Sequence, residues 1–336
     1  MSEGITWTVY DADSMTQADI YGQVLCDLGA IHPQIVALSA DLAKSTKIGR
    51  FQDHFPERFF NVGIAEQNLF GVAAGLAKSG LLPFVSTMAA FTAMRAAEQV
   101  RTDICYQNLD VKMIATHGGA SFGQAGTTHH CTEDIAIMRS FANMTVIVPA
   151  DGIETANAVK QCVNYPGPVY IRIGRGFEPR HYQDEEYGFQ IGKAVTLSEG
   201  SDITLICCGI TVFHAMEAAR ILKEDDGLSV RVLNMHTIKP LDEAAAMKAV
   251  EETRRVVVFE EHNVLGGLGS AVADVLAASG KGCAFRKVGI PDCYCEVGYP
   301  EDLYTHYRLD TDGILSTVRE VMNLEFEEDE DWEDEV

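Results

Sequence analysis

The sequence predicts an α/β fold of two domains, each with a mostly parallel sheet flanked by helices, on three observations. At 336 residues the chain exceeds what one hydrophobic core usually serves. Short apolar runs rich in β-branched residues alternate with longer stretches of helical periodicity, as expected of strands buried on both faces beneath crossover helices. Near the middle a polar interval breaks the alternation, and the pattern then restarts.

In order along the chain, strands are expected at Ile35–Ser39, Leu82–Ser86, Val111–Ala115, Thr145–Val148 and Val169–Ile173, each followed by a helical stretch. Gly174 to Gly188, with Pro179 and the polar run H-Y-Q-D-E-E-Y-G, reads as a linker. Beyond it, strands are expected near Ile203–Cys207, Ser229–Leu233 and Arg255–Phe259, and helices near Val212–Lys223 and Gly269–Ala278. The expected division is a first domain over 1–180, a connection over 181–188, a second domain over 189–323 and an acidic tail over 324–336. Gly266, Gly267 and Gly269 suit a tight turn leading into the following helix.

Of the net charge of −23, nine negative charges lie in the last twelve residues, leaving 14 over the rest of the chain. Such a segment is expected to stay solvated and disordered. An acidic chain disfavours nucleic acid and anionic membranes as partners. The start, M-S-E-G-I-T-W, lacks a basic segment followed by an apolar one, and no apolar run approaches a membrane span, so a cytoplasmic protein is expected. Nine cysteines without a repeating spacing fit reduced thiols. Neither the glycines around Gly118–Gly123 nor those at Gly266–Gly269 match a dinucleotide fingerprint, and no Walker lysine is present. His117, His129, His130 and Cys131 lack the spacing of a metal site, and no metal ligand is assigned.

The richest stretch runs from Arg58 to Phe91, R-F-F-N-V-G-I-A-E-Q-N-L-F-G-V-A-A-G-L-A-K-S-G-L-L-P-F-V-S-T-M-A-A-F. It puts Glu66 after an apolar segment and at the start of a small-residue helix, where desolvation favours a protonated carboxyl. Taken alone, such a glutamate is most simply a partner of the helix dipole. Phe91 offers a flat aromatic face in the next segment. A carboxyl beside an aromatic plate suits a heteroaromatic ring carrying a hydrogen-bonding nitrogen.

That string closely resembles the pyrimidine-binding half of the transketolase family. The similarity continues through P83-F-V-S-T, the loop T116-H-G-G-A-S-F-G, and T237-I-K-P-L-D, covering nearly the whole chain up to the acidic tail. The family's G-D-G followed by an Asn, which holds diphosphate and Mg²⁺, is absent. The resemblance therefore implies the C-terminal subunit of a split enzyme, with pyrimidine-binding and C-terminal domains. An N-terminal partner carrying G-D-G…N would complete it, in an α₂β₂ assembly. The implied cofactor is thiamine diphosphate, with Mg²⁺ bound mainly by the partner. The implied reaction moves a two-carbon ketol unit from a ketose to an aldose.

By the same resemblance Glu66 and His129 are catalytic. Phe91 stacks on the aminopyrimidine, Met88 and Met94 stand in the pocket wall, and Asp41 nears the cofactor across a subunit interface. Ser45, His117, His129 and Arg175 contact the sugar substrate; His262, in E260-E-H-N, also matches a second-domain family pattern and is assigned no catalytic role. Ala125 stands where many family members have an acid that reads sugar hydroxyls, and Gln17 or Ala18 where they have an arginine. A modified, branched, deoxy or sulfonated sugar, or a relaxed stereochemical preference, is therefore expected. A deoxyxylulose-phosphate-synthase-like condensation, a 2-oxo acid dehydrogenase β-like decarboxylation and a non-catalytic assembly subunit remain as alternatives.

Overall fold

The structure, a computed structural model, describes residues 15–176 and 178–324. The acidic tail from Glu325 onward lies outside the described residues. The strands are β1 (Ile35–Ser39), β2 (Phe59–Asn61), β3 (Leu82–Met88), β4 (Lys112–Thr116), β5 (Thr145–Ile147), β6 (Val169–Arg172), β7 (Val195–Ser198), β8 (Ile203–Cys207), β9 (Val230–Asn234), β10 (Thr237–Lys239), β11 (Arg255–Asn263) and β12 (Ala284–Ile290). They form a seven-stranded sheet, β10-β5-β6-β4-β3-β1-β2, and a five-stranded sheet, β12-β11-β8-β9-β7. Pairing is parallel except at β10 with β5 and β7 with β9.

The eight expected strands are present, their ends moved by a few residues or fewer. β1, β3, β4, β6, β8 and β9 are buried along their whole length, as the continuous apolar runs require of strands covered on both faces. The four unexpected strands are short or carry polar and charged residues: β2 contains Asn61, and β12 contains Arg286 and Lys287. β2, β7, β10 and β12 close the four sheet edges, where one side needs no apolar cover. Lys112, fully buried within β4, is tolerated because its ammonium donates to the Tyr165 and Gly167 carbonyls and pairs with Asp110.

β10 belongs to the second half of the chain yet adds to the first sheet. Thr237-Ile-Lys therefore ties the two units together. The interval from Gly174 to Gly188 has no helix or strand among its described residues, but it is not a loose tether. Tyr182 is 5% exposed and stacks on Tyr187 at 3.6 Å, and Asp151 accepts from the His181 and Tyr182 amides. Beneath them the buried Glu154 carboxylate accepts from Asn234 of β9, Tyr187 and the Ala150 amide. Burial pushes Glu154 up to about 7.

At the expected glycine turn, Gly266 has φ +82°. A Cβ on Gly267 would lie 2.0 Å from a Glu260 carboxylate oxygen. That carboxylate accepts from the Leu268 and Gly269 amides and caps the helix Leu268–Ser279. The cysteines described are all free thiols. Among the described residues no helix is long and apolar enough to cross a membrane.

Candidate active site

The residues singled out by sequence leave the first sheet on one side, at the carboxyl ends of neighbouring parallel strands. Arg175 follows β6, His117 follows β4, Met88 ends β3 with Phe91 just beyond, Asp41 and Ser45 follow β1, and Glu66 follows β2. Loops gather at this edge of an open parallel sheet because the crossover helices return the chain to the opposite edge. Asp41 and His117 both adopt left-handed backbone, at φ +60°, immediately past their strands.

Glu66 opens the helix Glu66–Lys78 and is 6% exposed. The sequence offered it the helix dipole; the structure adds a cation. Arg95 Nη1 donates to Glu66 Oε1 at 2.9 Å, and the arginine side chain is half exposed. A π-helical turn over Phe91–Arg95 places both ends of that turn together, with the guanidinium carbon 3.7 Å from the Phe91 ring centroid. Met88 is buried beside this turn, whereas Met94 is 45% exposed.

The ring of Phe91 meets His129 edge-on at 5.6 Å, and His129 meets Phe122 at 5.4 Å and 87°. Phe122 in turn lies 4.7 Å from His117 and beneath the Arg175 guanidinium at 4.6 Å. Four predicted residues, Phe91, His117, His129 and Arg175, are thus joined through one that was not predicted. Phe122 sits inside the T-H-G-G-A-S-F-G string, so its presence was visible, but nothing in the string says that its ring faces two histidines and an arginine. Arg95, four residues past Phe91, was missed for the same reason.

The loop carrying these groups is closed by reciprocal amide–carbonyl bonds between Gly119 and Cys131, both 2.8 Å. His130 reaches the Gly123 carbonyl at 2.8 Å and acts as a strut. His117 Nδ1 is 2.7 Å from the Thr116 hydroxyl, and burial, with Arg175 and His129 nearby, lowers it to about 4. It therefore faces the site as a neutral imidazole at physiological pH.

A buried ionic network anchors the loop from below. Arg172 donates from Nε to Asp134 at 3.0 Å and from Nη2 to the Glu261 carbonyl at 2.7 Å. Glu261 accepts from the Ala120 amide and the Tyr304 hydroxyl, and burial pushes it up to about 7 against the pull of Arg172. The second unit thereby grips the loop of the first. His262 is held between the Asn263 carbonyl and the Ala136 amide.

Asp41 and Ser45 stand apart and exposed on the β1 side, Asp41 in a groove with Lys44, Lys47, Arg50 and Asn61. Gln17 and Ala18 are both buried, and Gln17 bridges the Pro149 carbonyl and the Gly174 amide, one residue before Arg175. Ala125 ends a short turn over Gly123–Ala125. Among the described residues, no cluster of three or more His, Cys, Asp or Glu is placed to hold a metal ion.

The site's donor set fits one half of a cofactor. A buried carboxylate and an aromatic face meet at one point, and a planar cationic donor, the Arg95 guanidinium, engages both. An aminopyrimidine presents the same flat face and in-plane nitrogen. Residues 13–178 match the transketolase pyrimidine-binding domain and residues 192–314 the transketolase C-terminal domain. The chain is 41% identical over 300 residues to an apulose-4-phosphate transketolase subunit of Phocaeicola vulgatus, covering 89% of this chain and 95% of that one. It is 39% identical over 305 residues to a 6-deoxy-6-sulfo-D-fructose transketolase subunit of a Clostridium species, covering 90% and 93%. Its fold matches a split-gene transketolase solved as an inactive β₄ tetramer, with a TM-score of 0.83, 43% identity, and coverage of 93% of this chain and 99% of that one.

Proposed function

The chain belongs to the transketolase family, and from that premise we propose that it is the C-terminal subunit of a two-chain, thiamine diphosphate-dependent enzyme that transfers a two-carbon ketol unit between sugars. The observation that carries this reading is the convergence of the Glu66 carboxylate, the Phe91 face and His129 at the carboxyl edge of one parallel sheet. When bound, thiamine diphosphate would supply the nucleophilic carbon that this chemistry requires, with Glu66, Phe91 and Met88 holding its pyrimidine ring. Glu66 holds the proton shared with the pyrimidine ring nitrogen, Phe91 sets the ring plane, and Met88 closes the wall behind it.

His129, His117 and Arg175 orient the sugar. His117, neutral and tied to Thr116, donates or accepts at a hydroxyl without adding charge, while Arg175 is exposed at the surface to meet an anionic end group. Asp41, exposed away from this cluster, acts near the cofactor across a subunit interface, and Ser45, also exposed, helps hold the sugar phosphate. An N-terminal chain with the G-D-G…N motif provides the diphosphate and Mg²⁺ site in an α₂β₂ assembly, and the enzyme works in the cytoplasm. The fit of this chain to the pyrimidine half alone supports that division of labour.

Ala125, and Gln17 or Ala18 where many family members have an arginine, support a substrate outside the usual pentose phosphate pair. Relatives named for apulose 4-phosphate and 6-deoxy-6-sulfo-D-fructose make these two sugars the first to assay. The test is reconstitution with the partner chain, comparing wild type with Glu66→Gln. Loss of a positioned acid–base group should lower kcat by roughly 10²–10⁴-fold with assembly intact. Near-normal turnover by the variant, or robust ketol transfer by this chain alone, would overturn the reading.

A further inference from the structure

Arg95 makes, within one chain, the two contacts that a bound aminopyrimidine would need. Its guanidinium carbon lies over Phe91, 3.7 Å from the ring centroid, and Nη1 donates to Glu66 Oε1 at 2.9 Å. The carboxylate is buried and the aromatic face belongs to a residue 7% exposed, and a planar donor engages both together. The Arg95 side chain as a whole is half exposed, so solvent reaches it where it leaves the core. The π-helical turn fixes this arrangement by placing Arg95 over Phe91.

We propose that Arg95 is an internal stand-in for the cofactor's pyrimidine ring, which must leave the Phe91 face and release Glu66 before thiamine diphosphate can seat. The proposal rests on the functional reading of Glu66 and Phe91. Arg95 keeps the carboxylate and the ring engaged before the cofactor arrives, and its departure is a cost that weakens cofactor affinity. The stand-in is a specificity device as well: a ligand displaces it only by offering both a flat face and an in-plane donor.

The experiment measures the thiamine diphosphate dissociation constant of the assembled two-chain enzyme by isothermal titration in excess Mg²⁺, for wild type, Arg95→Met and Arg95→Lys. Removing a half-exposed ion pair and its cation–π contact should tighten binding by roughly three- to thirtyfold in Arg95→Met. Arg95→Lys keeps the charge but not the planar fork, so a smaller gain is expected. A crystal structure of the loaded wild-type enzyme should show the guanidinium off the Phe91 ring. Unchanged or weaker binding by Arg95→Met, with wild type binding normally, overturns the proposal and leaves the functional reading standing; so does a loaded structure with Arg95 still on the ring. If wild type itself fails to bind, or Phe91→Ala binds as well as wild type, the functional reading falls and the proposal with it.

Discussion

Replacing Arg172 by Met tests the grip of the second unit on the loop between Gly118 and Cys131. The substitution keeps an aliphatic stem and removes the guanidinium that pairs with Asp134 and Glu261, the three side chains being 5%, 0% and 6% exposed. Asp134 would keep the Tyr170 hydroxyl as a donor, but its Oδ1 already lacks a partner. Removing one member of a buried ion pair costs about 3–5 kcal/mol, because the charge left behind is uncompensated. For a chain of this size the unfolding entropy is roughly 0.7 kcal/mol/K, so Tm should fall by about 4–7 °C. The deficit should also depend on pH. Burial holds Glu261 near 7 even with Arg172 opposing that rise. Without the cation it rises further, and a neutral acid no longer needs a partner. The loss should therefore be larger at pH 8 than at pH 6. Scanning calorimetry of both proteins at the two pH values measures this, and a variant Tm within about 1 °C of wild type at both would refute the reasoning.

Other consequences follow from the same geometry. Gly119 has φ +62°, and a Cβ there would lie 2.3 Å from the Glu261 carboxyl carbon; Gly119→Ala should cost about 2–4 kcal/mol and raise KM by displacing the loop, as thermal melts and steady-state kinetics would reveal. Glu154, raised by burial from 4.5 to about 7, contributes stability that is full below pH 4.5 and lost as pH rises through about 7. His117 and His236, lowered by burial from 6.5 to about 4, contribute in the opposite sense, fully above pH 6.5 and less as pH falls through about 4. Between pH 6.5 and 8 the Glu154 effect remains, joined by that of Glu261, also raised to about 7, so Tm should decline over that interval and Glu154→Gln should reduce the decline; an unaltered slope would remove Glu154 as a cause. Deleting Glu325 to Val336 should leave turnover intact, since that composition cannot form a core, and loss of partner association in low salt would contradict this.

Local pattern sufficed wherever one segment carried its own reason for its conformation. β1 and β8 were legible because a strand buried on both faces needs an unbroken apolar run. Glu66, Phe91 and the loop from Thr116 to Gly123 were legible because their residue types and order match a known pattern. Edge strands such as β2 and β12 were not, since their one-sided burial permits Asn61, Arg286 and Lys287.

What only the tertiary structure decided lies between segments far apart in the chain. Nothing local in Tyr170-Ile-Arg172 shows that Arg172 meets a carbonyl 89 residues away, or that Phe122 joins Phe91, His117, His129 and Arg175 into one cluster. Nor does a glutamate at a helix start reveal an arginine 29 residues later bonded to it. The sequence by itself determined the α/β class and the family resemblance, because these are properties of composition and order. Which residues face each other, and at what distance, depended on how two sheets and their loops pack, since burial and charge pairing act through space and are indifferent to separation along the chain.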